Sequence, residues 1–240
     1  GEVQQKLHLF GRYGIVMFAL SGLDIALWDI AAKTVNMPLW KLLGERKQDR
    51  LPAYASLYRY GEPEIVAERC SQAIGEGYGS IKLHETEDRE VAAARETIGE
   101  GFPIMLDTNC PWTVAEAHKR AASLRQFRLH WLEEPIFPPE NFKALAALQE
   151  KFNIPIAAGE NACTSFEFEK MFEAGAVRYA QPSVTKVGGV TELRKVASQC
   201  SVTGVQLMPH SPYFGPGFLA TLQLAALESS DCMIERFFLT

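Results

Sequence analysis

The sequence predicts an α/β fold, a TIM-like (β/α)7β barrel, on three observations. Eight short runs rich in β-branched and apolar residues begin roughly 22 to 29 residues apart. Most intervals between them carry apolar residues at helical spacing, as in Val114, Ala117, Ala121 and Leu124. Polar or charged residues end nearly every run, whereas an open doubly wound sheet would gather them at one switch point.

The elements follow in order. Residues 1–50 form a lead-in region, with a helix at about Ile15–Lys33 and a short one at Pro38–Leu43, packed on a barrel of residues 51–240. Strands are expected at Leu51–Leu57, Ser80–His84, Pro103–Asp107, Leu129–Glu133, Pro155–Glu160, Val177–Gln181, Gly204–Met208 and Cys232–Arg236. Helices are expected at Pro63–Gly75, Glu90–Ile98, Thr113–Arg125, Glu140–Lys151, Phe166–Ala174, Val190–Cys200 and Pro216–Glu228. The eighth unit has a strand without its helix, since the sequence stops four residues after Arg236.

Composition narrows the function. The 240 residues are 47% hydrophobic and 22% charged, with a net charge of −5, and no Lys/Arg stripe would follow phosphates, so a nucleic-acid partner is disfavoured. The apolar run Ile15–Ala32 approaches membrane-spanning length, but Asp24 and Asp29 interrupt it, which favours a buried helix over a span. Five scattered cysteines (Cys70, Cys110, Cys163, Cys200, Cys232) have neither CxxC spacing nor the density of a disulfide framework. They read as small buried hydrophobes in a reducing cytoplasm, with Cys110 the one placed to line a pocket.

Three carboxylates close consecutive strands: Asp107, Glu133 and Glu160, 26 and 27 residues apart. A barrel would set them side by side at its mouth, where like charges losing hydration need a cation between them. Oxygen donors without His or thiolate suit Mg²⁺ rather than Zn²⁺. Each acid taken singly reads equally as a helix cap or a surface charge. Glu134, next to Glu133, should turn the other way. Lys82 and His84 lie two apart on the second strand and share a face. Lys186 precedes Val187-Gly188-Gly189, whose glycines permit a tight turn. His210 leads into the stiff run Ser211-Pro212-Tyr213-Phe214-Gly215-Pro216-Gly217. Glu235 ends the eighth strand, facing the mouth or pairing with Arg236 at the surface.

With these residues in view, the sequence resembles the enolase superfamily in its mandelate racemase and muconate lactonizing enzyme branch. The resemblance runs through Ser21-Gly22-Leu23-Asp24-Ile25-Ala26-Leu27-Trp28-Asp29, Pro38-Leu39-Trp40-Lys41-Leu42-Leu43-Gly44, Lys82-Leu83-His84, Asp107-Thr108-Asn109, Trp131-Leu132-Glu133-Glu134-Pro135, Gly159-Glu160-Asn161, Lys186-Val187-Gly188-Gly189, His210 and Glu235. It implies that Asp107, Glu133 and Glu160 hold Mg²⁺, and that His84 removes a proton alpha to a carboxylate. Mg²⁺ and Lys82 would stabilise the enediolate. His210 or Lys186 would act on the opposite face, and Glu235 would donate to the substrate carboxylate. The chain departs from the family pattern in two places. His84 stands where a second Lys is common, and Ser183 stands where the mandelate racemase subgroup has an Asp, leaving His210 without that carboxylate partner.

The expected reaction is dehydration of a sugar acid, with Tyr58, Arg59, Asn109, Asn161 and Tyr213 as hydroxyl-binding contacts. A racemase or epimerase of a 2-hydroxy or amino acid derivative is the alternative, and a catalytically silent barrel a lesser one. The resemblance also implies a homo-oligomer. The family's α/β capping domain has no counterpart before Ile15, so these 240 residues by themselves are expected to turn over substrate poorly or not at all. Steady-state assays of the isolated segment check this, and wild-type rates would refute it.

Overall fold

The computed structural model describes residues 2–228 and 231–239. The expected alternation is present, with each strand one to three residues shorter than expected. Three helices come first: α1 (Glu2–Lys6), α2 (Gly14–Thr34) and α3 (Leu39–Leu43). Then follow β1 (Ala53–Ser56), α4 (Pro63–Gly75), β2 (Ile81–Leu83), α5 (Asp88–Ile98), β3 (Ile104–Asp107), α6 (Val114–Leu124), β4 (Trp131–Glu133), α7 (Phe142–Phe152) and β5 (Ile156–Ala158). The chain continues through α8 (Ser165–Glu173), β6 (Tyr179–Ala180), α9 (Gly189–Thr203), β7 (Gln206–Leu207), α10 (Pro216–Ala225) and β8 (Ile234–Phe237). The strands form one sheet in the order β7-β6-β5-β4-β3-β2-β1-β8, the winding of a (β/α)7β barrel. Among the described residues no ladder joins β7 to β8, where the sequence predicts closure. Just before β8, the Met233 amide donates to the side-chain sulfur of Met208, next to β7, at 3.4 Å.

Two compact units make up the chain. One comprises Gly1–Pro52, Gly159–Phe172 and Ala180–Ile234; the other comprises Ala53–Ala158, Glu173–Tyr179 and Glu235–Thr240. The second holds β1 to β5, paired in parallel with Asp107 level with Glu133. Alternation along these strands turns Tyr54, Ser56, Lys82, Met105, Asp107, Trp131 and Glu133 to one face, and all seven are buried. An aromatic layer lies one step earlier along the strands than the charged ends. Trp131 packs edge-on against Tyr54 with centroids 5.6 Å apart, and lies 4.9 Å from Tyr179. On the outer side, Thr113 and Glu116 form a capping box that starts α6.

In the other unit, α2 packs on α9. The residues Met17, Ser21, Asp24 and Trp28 recur at i, i+4, i+7 and i+11, which puts them on one helix face. Ser21 Oγ accepts from the Gly188 amide at 2.9 Å. Asp24 accepts from the Thr191 amide at 2.9 Å and the Thr191 hydroxyl at 2.7 Å, and Trp28 Nε1 donates to that hydroxyl at 2.9 Å. Gly189, at φ +80°, leaves no room for a side chain, because a Cβ there would stand 2.4 Å from Asp24 Oδ2. The sequence run containing Ser21, Asp24 and Trp28 is thus a clamp on the start of α9, not a catalytic motif.

The expectation of a buried helix over Ile15–Ala32 needs correcting. The helix forms, but only its clamp face is covered; Ile15, Leu23, Leu27 and Ile30 are exposed in this chain. It is apolar on nearly all sides, so its length and composition alone would also suit a membrane span. The cysteines match expectation: all five are free thiols, four buried and Cys110 half-buried.

Asp24→Ala should lower stability by about 1–2 kcal/mol, the usual cost of losing a cap and stranding part-buried donors, and Asp24→Asn by less because one acceptor survives. Urea denaturation measures this; equal losses in the two variants would contradict the clamp.

Candidate active site

The charged ends of β1 to β4 and β8 meet around one ammonium. Lys82 is fully buried, and its Nζ lies 3.2 Å from Asp107 Oδ2, 2.9 Å from Glu133 Oε1 and 2.8 Å from Glu235 Oε1. Two of the acids have second partners: Ser56 Oγ donates to Glu235 Oε1 at 2.8 Å, and Trp131 Nε1 donates to Glu133 Oε2 at 2.9 Å. An ammonium has three hydrogens, and here all three go to carboxylates. In this arrangement Lys82 also offsets part of the negative charge of the three acids. Glu235 is fully buried and turned toward Lys82, which settles the choice between the mouth and the surface.

Burial alone would push these groups toward their neutral forms, but the partners outweigh it. Burial pushes the Asp107 carboxyl up, yet Lys82 and then His84 hold it far below the usual carboxylate range. Burial likewise pulls Lys82 down, while Glu133, Glu235 and Asp107 raise it well above an ordinary lysine. Tyr54 moves well above 10.0, first through burial and then through Glu235, so its phenol stays neutral.

His84 Nε2 lies 3.3 Å from Asp107 Oδ2, while Nδ1 faces the Leu57 carbonyl. Arg59, expected as a substrate contact, donates through Nε to the His84 carbonyl and through Nη2 to the Thr108 carbonyl at 3.4 Å. Tyr58 is half-exposed and stacks on Phe237, 5.3 Å centroid to centroid. Asn109 is exposed; its amide donates to Asp107 Oδ1 at 3.0 Å and its φ is +55°. Cys110 is half-buried and bonds Glu134 Oε2 through Sγ at 3.4 Å. Glu134 itself is buried at φ +43°, and this backbone turn, rather than strand alternation, directs it toward Cys110.

The remaining expected residues lie in the other unit. Gly159, at φ +130° and packed against Phe168 and the Gln181 amide, leads into Glu160. Glu160 Oε2 stands 2.9 Å from His210 Nδ1. The expectation that His210 lacks a carboxylate partner is thereby overturned, because Glu160 supplies one from the end of β5. Ser183, at the position of the missing Asp, bonds Thr185 at 2.9 Å and Tyr213 at 3.4 Å. Tyr213 donates its hydroxyl to the His210 carbonyl at 2.9 Å, which makes it a support for His210. Lys186 lies half-buried in the turn before α9, and Asn161 is exposed beside Glu160.

Sequence reasoning missed Ser56, Trp131 and Glu85. Alternation could have found the first two, since each stands two residues from a position already singled out. Glu85 carried no such signal, because its partners are loop amides.

Comparison with known proteins agrees with this geometry. The profile of the family described as "Enolase C-terminal domain-like" matches residues 65–239, and that of the "Mandelate racemase / muconate lactonizing enzyme, N-terminal domain" matches residues 2–44. The chain belongs to the enolase superfamily, in its mandelate racemase and muconate lactonizing enzyme branch. It is 37% identical over 215 residues to a 3,6-anhydro-alpha-L-galactonate cycloisomerase of Streptomyces coelicolor, covering 85% of this chain and 58% of that protein. It is 32% identical over 230 residues to an arabinonate dehydratase of Saccharolobus solfataricus, covering 92% and 61%. Among solved structures, a racemase from Streptomyces coelicolor with bound magnesium superposes with a TM-score of 0.87 at 32% identity, covering 97% of this chain and 65% of that one. The chain thus spans about three fifths of the length of these curated relatives. The stretch matched by the N-terminal profile has no strand among its described residues.

Asp107's depressed value means that its contribution to stability is complete above the ordinary carboxylate value near ~4 and is lost as pH falls through the lower folded value. Lys82's raised value means that its contribution is complete below ~10.4 and is lost as pH rises beyond that. Lys82→Met should therefore cost about 3–5 kcal/mol at neutral pH, with the gap to wild type closing only in strong acid or strong base. Denaturant titrations at a series of pH values measure it, and a gap already closed at pH 6 would contradict an ionised cluster.

Proposed function

We propose that this chain carries the catalytic barrel of a Mg²⁺-dependent enzyme that removes a proton alpha to a carboxylate and dehydrates a sugar acid, an aldonate or aldarate. The observation that carries the reading is the buried cluster in which one ammonium faces three carboxylates. That leaves excess negative charge around Asp107 and Glu133, two oxygen donors of a kind that suits a hard divalent cation. Asp107, Glu133 and Glu160 would hold Mg²⁺, which when bound supplies positive charge to the substrate carboxylate and to the charge developing there.

The chain's own residues do the rest. His84 Nε2 accepts the alpha proton, and Lys82, with Glu235 and Ser56 behind it, keeps the surrounding carboxylates balanced and in place. His210, paired with Glu160, delivers a proton to the departing 3-hydroxyl; Lys186 is the other group for the opposite face. Tyr58, Asn109 and Asn161 remain the candidates for binding substrate hydroxyls, with Arg59 and Tyr213 more deeply engaged in supporting the two histidines. The dehydratase and cycloisomerase relatives support the sugar-acid class, and the magnesium-bound racemase supports the metal. That racemase also favours a second reading, epimerization of a 2-hydroxy acid or amino acid derivative by His84 and an opposite-face base. We place the enzyme in the cytoplasm, as a homo-oligomer acting on a small carboxylate.

Incubating the full-length enzyme, of which these 240 residues would be the barrel, with Mg²⁺ and a panel of acid sugars in D2O tests the proposal. A 2-keto-3-deoxy product lighter by one water, lost on chelation and in His84→Asn, is the expected result. An isomer inverted at the alpha carbon would favour the epimerase, and an isomer with an opened ring a cycloisomerase. Absence of a dehydrated product, of an isomer and of any deuterium incorporation from every acid in the panel would overturn proton abstraction altogether.

A further inference from the structure

Two aromatic rings stand above the charged cluster, and no proton transfer in the proposed reaction uses them. Ser56 and Glu235 share the inward face of β1 and β8, since Ser56 Oγ donates to Glu235 Oε1 at 2.8 Å. Backbone pairing runs on past them. The Leu57 amide donates to the Lys82 carbonyl at 2.9 Å, and the Phe238 amide to the Ser56 carbonyl at 3.0 Å. Side chains alternate along such a run, so Tyr58 and Phe237, each two residues further on, take the same face one layer nearer the mouth. There the two rings stack, 5.3 Å between centroids and 18° between planes. Phe238, next in the chain, turns the other way and packs edge-on against Tyr78. Ser56 and Glu235 in the layer below are fully buried, yet Tyr58 is 47% exposed. It directly follows Leu57, whose carbonyl touches the His84 ring.

We propose that Tyr58 and Phe237 form a specificity-determining platform that takes the C–H face of the substrate's carbon chain beyond C3, so that the enzyme selects long sugar acids over short 2-hydroxy acids. The inference rests on the reading of this mouth as a sugar-acid site. Ligand sites combine a few charged groups with an apolar or aromatic wall, and here both stand on the same strands. Hydrogens bonded to the carbons of a polyol are weakly positive and suit the negative face of an aromatic ring. A three-carbon acid such as glycerate sets its carboxylate and alpha carbon among the charged groups and has nothing left to lay on the platform. A six-carbon aldonate has three further carbons. Tyr58 thus acts through its ring, whereas the contact expected from sequence was through its hydroxyl.

Saturation-transfer NMR on the full-length enzyme gives a test that needs no turnover. With Mg²⁺, a panel of six-carbon aldonates and the His84→Asn background, irradiating the aromatic protons should carry saturation to the hydrogens on C4 to C6. Adding Tyr58→Ala, shown to be folded by circular dichroism, should remove most of that transfer; transfer left unchanged would overturn the proposal. With acids that wild type turns over, Tyr58→Ala and Phe237→Leu should lower kcat/KM for a six-carbon aldonate roughly tenfold to a hundredfold. The same variants should affect glycerate far less, so the preference for length narrows. Equal losses for long and short acids would reduce the stack to packing and overturn the platform. Tyr58→Phe should lose less than Tyr58→Ala, and equal losses in those two would make the hydroxyl the contact instead. If aldonates bind but no acid exchanges its alpha proton, the proton-abstraction reading fails and the saturation pattern still decides the platform. If no aldonate binds, the platform itself fails. Should Tyr58→Ala not fold, Tyr58→Leu carries the same comparison.

Discussion

One ammonium in a dry place is the constraint on which this barrel's interior depends. Lys82 stands among Asp107, Glu133 and Glu235 with no exposed surface. The aromatic layer of Tyr54, Trp131 and Tyr179 adjoins this cluster and keeps the local dielectric low. Ions this deep persist only if each is paired and hydrogen-bonded. Ser56 and Trp131 supply the additional bonds, so strands β1 to β4 and β8 are joined as much by side-chain electrostatics as by backbone ladders. The arrangement costs stability compared with an apolar interior of the same volume.

The two histidines show how unlike environments can prepare like groups for different work. His84 is bounded by a backbone carbonyl on one nitrogen and a carboxylate on the other. His210 meets the Glu160 carboxylate through Nδ1, while Tyr213 holds its backbone. The first arrangement holds the ring at the edge of the charged cluster. The second ties the ring to a side chain at the end of β5.

Much of this was legible in the residue string because barrel strands are short and their period is strict. Period-two alternation placed Lys82 with His84 on one face, and the recurring interval placed Asp107 level with Glu133. Strand ends were overestimated, since apolar residues that leave the ladder still pack as buried loop. What alternation could not convey was the hand of the backbone after a strand. Asn109, Cys110 and Glu134 all take positive φ, and that alone redirects Glu134. Nor could it foresee that Glu160 would stand beside His210, or that the apolar excess of α2 would lie on its uncovered side. Both are facts of long-range packing, which no local pattern encodes.

Trp131 gives the site a property of a different kind. Its indole N–H is bonded to Glu133 Oε2, inside the charge cluster and shielded from solvent. An indole so placed has its emission governed by whether that carboxylate is charged, protonated or drawn toward a cation. The molecule therefore carries its own optical gauge of events at its centre, with no label to be attached.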